Sequence, residues 1–299
     1  MKLLVTGGLG FIGSNFINLL QEENEYSIVN IDKMTYAAKF ENVSITKPEN
    51  YEFVKADIND ESTLEKYSDI DWVINFAAES HVDNSIKSST EFVQSNVQGV
   101  RSLLDFCRKH DKMILQISTD EVYGSIEKGS FTEESPLNPR NPYSATKASA
   151  ELLVKAYHET YGIPYLITRG ANNYGPNQHP EKLIPKTISN ILSNKKTPVY
   201  GRGLQIRNWV YVKDHCNAIK LVLERGIKNQ DYNIPGPEET SNISLVKLIL
   251  KTFNKPESLI DFVPDRLGHD FRYSMGDSKI RKLGFSYSMT LEKYLHSLV

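Results

Sequence analysis

The feature that most constrains the fold is a glycine-rich segment near the start of the chain, residues 7–13 (GGLGFIG). It follows an apolar run at 2–6 and opens an amphipathic stretch at 12–22. Glycines spaced G-x-x-G-x-x-G between a strand and a helix let the backbone turn tightly and approach a pyrophosphate at the helix N-terminus. The segment therefore predicts a dinucleotide-binding α/β fold.

The first half of the chain alternates short apolar runs with helical patterns. Strands are predicted at 2–6, 27–32, 51–56, 72–76, 112–118 and 165–169, and helices lie between most of them, including 12–22 and 91–110. Continuous apolar strands separated by helices are typical of a parallel sheet that is covered on both faces. We expect a Rossmann-type, doubly wound parallel sheet, followed by a smaller C-terminal α/β substrate domain.

Beyond residue 169 the sequence becomes rich in turns, with shorter elements: a helix near 184–193, a strand near 210–212 and a helix near 245–253. We predict an NAD-binding Rossmann domain over 1–170, with a return segment near 206–232. A substrate-binding domain is predicted over 171–299.

Composition excludes several classes of partner. The formal net charge of -2 gives no global basic field, so nucleic acid and anionic membranes are not expected as partners. The two cysteines lack neighbours at metal-ligand spacing and the seven histidines are scattered, so we expect free thiols and no metal site. The chain starts directly on a strand and has no run of membrane-spanning length, which favours a cytoplasmic protein.

Two acidic residues are candidates for binding the adenosine of the cofactor. Asp32 ends the second strand about twenty residues after the glycine segment, where a carboxylate accepts hydrogen bonds from a ribose. It would repel a 2′-phosphate, which favours NAD over NADP, although Lys33 is a nearby cation. Asp57 follows the third strand and either contacts the adenine or caps a helix.

A second acidic feature follows the fifth strand. Asp120 and Glu121 stand side by side where ligands bind in open α/β sheets, so they could deliver and remove protons at two atoms of one ligand. The alternative is an acidic surface turn, which is common where a chain leaves a strand.

Tyr143 and Lys147 are four residues apart in a predicted helix, so they share a face. There the ammonium can lower the phenol pKa and contact the nicotinamide ribose. Tyr51 and Lys55 have the same spacing, but they lie in a predicted strand, which separates their side chains.

Together these motifs resemble the extended short-chain dehydrogenase/reductase family, and most closely its dTDP-glucose 4,6-dehydratases. The matching segments cover nearly the whole chain: 7–13, Asp32 to Tyr36, 77–83, 118–124, 143–147, 172–176, 179–185, Arg207 and 266–270. Epimerases of this fold usually lack the Asp-Glu pair, which stands here within Thr119-Asp120-Glu121.

The resemblance implies an NAD-dependent dehydration of a nucleotide sugar, dTDP-glucose, by a homodimer. Tyr143 would take the proton of the 4-hydroxyl, and Thr119 would hydrogen-bond the same oxygen. Glu121 would remove the proton on carbon 5 and Asp120 would protonate the departing 6-hydroxyl. The hydride taken from carbon 4 returns to carbon 6, so there is no net redox change and NAD is retained tightly.

The predicted site residues form three groups. The catalytic group is Thr119, Asp120, Glu121, Tyr143 and Lys147. The NAD-binding group is Gly7, Gly10, Phe11, Ile12, Gly13, Asp32, Lys33, Thr35, Asp57, Ile58, Ala77, Ala78, Ser95, Tyr143, Lys147 and Asn172. The substrate-binding group is Ser80, His81, Thr119, Asn172, Lys182, Leu183, Pro198, Tyr200, Arg207, Asn242, Arg266, His269 and Tyr273.

Several positions depart from the pattern of these dehydratases without removing a catalytic group: Ala38, Lys39, Ala171, Arg202, Asn208 and Leu267. They leave the nucleobase open between thymine, uracil and guanine. One alternative is therefore a UDP-sugar dehydratase, epimerase or decarboxylase of the same fold. A separate alternative is a non-catalytic NAD-binding sensor.

Overall fold

Residues 1–23, 25–265 and 270–299 are described by the computed structural model of the chain. In these residues a seven-stranded sheet has the order β10-β6-β5-β4-β1-β2-β3, and every neighbouring pair is parallel. Its strands are β1 Lys2–Thr6, β2 Ser27–Asp32, β3 Tyr51–Lys55, β4 Trp72–Asn75, β5 Met113–Thr119, β6 Tyr165–Gly170 and β10 Gln230–Ile234. This arrangement confirms the predicted Rossmann-type parallel sheet.

The remaining strands form two small sheets, ordered β11-β9-β7 and β12-β8. They are β7 Asn172–Tyr174, β8 Thr197–Tyr200, β9 Ile206–Tyr211, β11 Glu238–Ser241 and β12 Ile260–Val263. The helices are α1 Phe11–Gln21, α2 Glu61–Leu64, α3 Val82–Lys87, α4 Thr90–Val93, α5 Gly99–His110, α6 Pro142–Tyr161, α7 Leu183–Leu192, α8 Val212–Arg225, α9 Asn242–Thr252, α10 Ser278–Lys282 and α11 Leu291–His296.

Apolar side chains cover both faces of the main sheet, as parallel strands require. One core cluster includes Phe16 of α1 and Ile219 of α8, and the other includes Leu103 of α5 and Val154 of α6. Separate apolar clusters bury α7, α9 and α11 and the region around Val122. The fold thus leaves the carboxyl ends of the main strands free to form a site.

After β9 the chain returns to the main sheet, because α8 packs in the same cluster as α1 and β10 pairs with β6. The proposed division into domains over 1–170 and 171–299 stays a prediction.

The six strands expected in the first half are confirmed, with ends that differ by two residues or fewer. The helix expected over 91–110 is interrupted: a π-helical segment, Gln94–Gln98, lies between α4 and α5. Asn96 in this segment accepts a hydrogen bond from the Glu79 amide and donates one to the Thr146 hydroxyl. These long-range contacts give a physical reason for the irregular turn, which periodicity does not reveal. Within the part of the chain that the structure describes, no helix is long and apolar enough to span a membrane.

Candidate active site

The glycine segment turns at the end of β1 and leads into α1. Gly7 has a φ of +69°, and a Cβ there would lie 2.6 Å from the Ala77 backbone nitrogen. A Cβ on Gly13 would lie 2.4 Å from the carbonyl oxygen of Gly7. Glycine at these positions lets the backbone approach closely, which produces the surface that a pyrophosphate needs at the start of α1.

Asp32 lies beside this turn and is 7% exposed. Its carboxylate accepts hydrogen bonds from the Leu9 amide at 3.0 Å and the Met34 amide at 2.7 Å. Burial nevertheless raises the pKa of Asp32. Lys33 is 3.7 Å from Asp57, so the charge of this cation beside the predicted ribose site is partly neutralised. Asp60 accepts the capping hydrogen bond of α2, so Asp57, whose side chain accepts from Asn59, is not that cap.

A cleft of about 320 Å³ opens at the carboxyl ends of the central strands. All the predicted catalytic and NAD-binding residues line it, together with Ser80 and Lys182 of the substrate group. The structure therefore brings together residues that lie between positions 7 and 182 of the chain.

The acidic pair lies in a 3₁₀ turn, Asp120–Tyr123, that follows β5 directly. Asp120 is 3% exposed, its Oδ1 accepts from the Thr119 hydroxyl at 3.1 Å, and its Oδ2 has no hydrogen-bond partner among the described residues. Burial, with the nearby Glu121 carboxylate, raises the pKa of Asp120 to about 7. The pKa of Glu121 is also raised by burial, while the Asn141 amide and the charge of Arg207 act to lower it. This pair is enclosed, which argues against an acidic surface turn.

Tyr143 begins the buried face of α6 beside this pair. Burial and the charges of Glu121 and Asp120 raise its pKa, whereas a hydrogen bond with Thr119 acts to lower it. Lys147 is also buried, and its Nζ donates to the Ile117 carbonyl oxygen at 2.6 Å. Burial lowers the pKa of Lys147 to about 8. The phenol, the hydroxyl and two carboxyl groups thus surround one end of the cleft.

A capping box fixes the start of α6. The Asn141 side chain accepts from the Ser144 amide at 2.9 Å, and the Ser144 hydroxyl accepts from the Asn141 amide at 3.2 Å. The side-chain amide nitrogen of Asn141 also donates to Glu121 Oε2 at 3.2 Å. One residue therefore links the helix that carries Tyr143 to the acidic turn.

A second group of predicted residues borders the cleft without lining it. Tyr273 donates to Asp270 at 2.8 Å and lies 3.4 Å from Glu121 Oε2. The Arg207 guanidinium is 4.3 Å from the centre of the Tyr273 ring and donates to the Asp270 carbonyl oxygen at 2.9 Å. This group connects β9 to the acidic end of the cleft.

Other predicted substrate residues do not line the cleft, or lie outside the described residues. His81 lies 3.5 Å from Glu181 and precedes α3, Leu183 begins α7, and Asn242 begins α9. Pro198 and Tyr200 lie on β8. Arg266 and His269 lie outside the described residues.

The cleft is also lined by residues that the sequence analysis did not select, including Tyr36, Ser118, Gly170, Asn173, His179 and His215. Ser118 and Gly170 could have been selected because Ser118 ends one predicted strand and Gly170 directly follows another. His215 lies in α8, where no motif indicates a site.

The residues present fit a dinucleotide. The close-approach glycines, the ribose-binding carboxylate and the adjacent Tyr-Lys pair lie along one continuous cleft. The unpartnered oxygen of Asp120 points to a ligand group at the other end.

Comparisons with known proteins agree with this geometry. The family model described as GDP-mannose 4,6 dehydratase matches residues 4–298. The low-salt glycan biosynthesis protein Agl12 of Haloferax volcanii is 48% identical, over 100% of this chain and 97% of its own. A dTDP-glucose 4,6-dehydratase of Haemophilus influenzae is 44% identical, over 100% of this chain and 97% of its own.

A solved structure is also similar over the whole chain. DesIV, a dTDP-glucose 4,6-dehydratase from Streptomyces venezuelae crystallised with NAD and TYD bound, has a TM-score of 0.96 and 42% identity. The match covers 99% of this chain and 95% of that one.

Proposed function

This chain belongs to the GDP-mannose 4,6-dehydratase family, and on that premise we propose that it is an NAD-dependent dTDP-glucose 4,6-dehydratase. It would convert dTDP-glucose to dTDP-4-keto-6-deoxyglucose and water. Relatives at 41–44% identity that bear this name match 95–100% of the chain. The choice of dTDP over UDP or GDP rests on these relatives.

The observation that carries the dehydratase assignment is the carboxyl pair next to Tyr143, in which Asp120 is buried and Glu121 partly buried. Oxidation alone needs one base at the 4-hydroxyl, which Tyr143 supplies while Thr119 orients the oxygen. Elimination needs a second base and an acid at neighbouring atoms, and Asp120 and Glu121 provide both within one turn. An epimerase that inverts only carbon 4 has no step that uses this second pair.

The residues divide the reaction as follows. When bound, NAD supplies an acceptor for the hydride on carbon 4 of the sugar. Its positively charged ring also favours the Tyr143 phenolate. Tyr143 accepts the proton of the 4-hydroxyl, and Thr119 orients that oxygen. The 4-ketone then acidifies carbon 5, whose proton Glu121 removes. Asp120 donates its proton to the leaving 6-hydroxyl, which departs as water. Carbon 6 would then regain the hydride, and Glu121 would return its proton to carbon 5. The proton taken up by Tyr143 balances the one lost by Asp120.

The pKa of Asp120 supports its role as the acid. At a pKa of about 7, a large fraction of this carboxyl is protonated at neutral pH. Its Oδ2, which has no partner in the described part of the chain, is available to hydrogen-bond a hydroxyl. The Asn141 amide bonds the ionised form of Glu121, as a base requires.

The direct test is turnover on three nucleotide sugars. Purified protein is incubated separately with dTDP-glucose, UDP-glucose and GDP-mannose, and the 4-keto-6-deoxy product is followed by its absorbance in alkali. We expect turnover on dTDP-glucose with a kcat/KM at least tenfold higher than on the other two, about 1.4 kcal/mol of discrimination. Turnover on UDP-glucose alone would reassign the substrate, and no turnover on any would favour a non-catalytic NAD sensor.

For the chain as a whole, we propose two domains. Residues 1–170 form the NAD-binding domain, to which the chain returns near 206–232, and residues 171–299 form the substrate-binding domain for the nucleotide sugar. Main-sheet pairing of β10 with β6 supports including the return segment. Two buried free thiols, Cys107 and Cys216, suit a reducing cytoplasm, where we place the protein.

A homodimer is proposed from an apolar surface on neighbouring helices. Val93 of α4, Leu152 and Tyr161 of α6 are 48%, 59% and 46% exposed. A second copy of the chain would bury them by an isologous contact. Light scattering should give twice the 34.0 kDa mass of one chain, and Leu152→Glu should give the single mass. A wild-type monomer at assay concentration would contradict the dimer.

A further inference from the structure

His215 is a buried residue of the cleft to which the reaction assigns no role. It lies on α8, is 1% exposed, and lines the cleft. Its ring covers Gly170 so closely that a Cβ there would lie 2.4 Å from the imidazole Cε1 and 2.7 Å from Nε2. Gly170 pairs in register with Thr119, so the ring is next to the strand end that carries the acid-base groups.

The hydrogen bonds around the ring determine its tautomer. The Asn173 amide nitrogen donates to the Ala171 carbonyl oxygen at 2.9 Å, so Asn173 Oδ1 is an acceptor. His215 Nδ1 lies 2.9 Å from that Oδ1 and must carry the proton. Nε2 therefore presents a lone pair, and among the described residues it has no hydrogen-bond partner. Burial lowers the pKa of His215 to about 4, so the ring is neutral at physiological pH.

The helix that carries His215 also contacts the glycine segment. The next residue, Cys216, contacts the Ile12 carbonyl oxygen of the glycine segment at 3.6 Å. The sugar-directed carboxyl groups belong instead to the turn after β5. A buried, neutral acceptor needs an N–H or O–H donor, which a ligand bound in the cleft can supply. At the nicotinamide end of NAD, the carboxamide group offers a neutral N–H donor.

We propose that His215 Nε2 accepts a hydrogen bond from the carboxamide of bound nicotinamide, while its Nδ1–H holds Asn173 at the wall of the cleft. The ring of the cofactor is then fixed relative to Thr119 and Tyr143. This role is that of a positioning and cofactor-selecting residue, and it rests on the proposed NAD-dependent function.

The test compares NAD with 3-acetylpyridine adenine dinucleotide. In this analogue a methyl ketone replaces the carboxamide, so the pyridine ring carries no N–H donor. Full-length protein is stripped of nucleotide, and binding of each oxidised dinucleotide is measured by calorimetry. The wild type should bind the analogue about tenfold more weakly than NAD, because Nε2 is left without its donor. His215→Asn retains a donor towards Asn173 but removes the Nε2 acceptor, so it should bind both dinucleotides with similar affinity.

Cys216→Ala is the matched control, since it changes the adjacent buried side chain of α8 without altering a residue that lines the cleft. It should keep the wild-type preference for NAD and the wild-type KM for the sugar nucleotide. Equal binding of the two dinucleotides by the wild type overturns the proposal without any variant, as does full discrimination by His215→Asn. A wild type that binds neither dinucleotide contradicts the proposed function itself.

Discussion

Burial determines how the two adjacent carboxyl groups differ from ordinary surface acids. Asp120 and Glu121 are neighbours in sequence, yet each has its own contacts: Thr119 bonds Asp120, and Asn141 bonds Glu121. Desolvation raises both pKa values, and within the described part of the chain an amide side chain donates a hydrogen bond to Glu121 but not to Asp120. This difference supports an acid and a base from one dipeptide.

Replacing the proposed base should separate oxidation from elimination. In Glu121→Gln we expect the overall rate to fall by at least about 100-fold, because proton removal at carbon 5 loses its general base. Oxidation at carbon 4 should persist, so reduced cofactor should accumulate and be visible by its near-ultraviolet absorbance in a single turnover. Exposed Glu127→Gln is the control. Dehydration by Glu121→Gln at the native rate would show that another residue is the base.

The raised pKa of Asp120 predicts a specific pH dependence. The acid acts in its protonated form, which predominates below its pKa of about 7 and is lost as the pH rises through that value. The kcat/KM of the wild type should therefore decrease above about pH 7. Asp120→Asn, which cannot titrate, should be slower and should lack this step. If the step persists in Asp120→Asn, the titration belongs to another group, such as Lys147.

At the scale of elements, the start of α6 couples helix stability to the geometry of the base. Asn141→Ala removes both the cap and the donor to Glu121, so it should lower the free energy of unfolding by about 1 kcal/mol and lower kcat. Asn141→Ser keeps a good cap but lacks the amide donor, so stability should be close to that of the wild type while kcat still falls. Denaturant unfolding and steady-state kinetics measure the two effects. Full activity in Asn141→Ser would mean that Glu121 does not need this contact.

At the scale of the whole molecule, a buried ion network joins elements on both sides of the site. Arg169 of β6 is 1% exposed and donates to Glu151 of α6 and to Asp231 of β10, each at 2.6 Å. It also donates to the hydroxyl of Tyr123 in the acidic turn. The network therefore ties the acidic turn to the helix that carries Tyr143 and to the strand that returns late in the chain.

Arg169→Met leaves the Glu151 carboxylate buried without its cation, and Asp231 keeps only its pair with Lys155. The free energy of unfolding should therefore fall by about 3–5 kcal/mol. Arg101→Met is the control, because the pair of Arg101 with Asp105 is partly exposed and should contribute less than about 1 kcal/mol. Both are measured by urea denaturation. Equal effects of the two substitutions would contradict the importance of the buried network.

The sequence by itself determined the features that depend on neighbouring residues. Periodicity placed the strands of the parallel sheet, the glycine spacing located the turn into α1, and the Tyr-Lys spacing became meaningful because 143–147 is helical while 51–55 is a strand. These patterns are local, so they can be read along the chain. The acidic pair was recognised for the same reason, since its two residues are adjacent after β5.

Only the tertiary structure decided what depends on contacts between distant segments. His215 meets Asn173 across 42 residues, and Asn96 of the π-helical segment meets Thr146 across 50. Neither contact produces a periodic pattern or a motif in the sequence. Burial in the folded chain also sets the pKa values of Asp120 and Lys147, because desolvation depends on every element that surrounds a group. The sequence thus identified the acid-base residues, and the fold gave each of them its electrostatic environment.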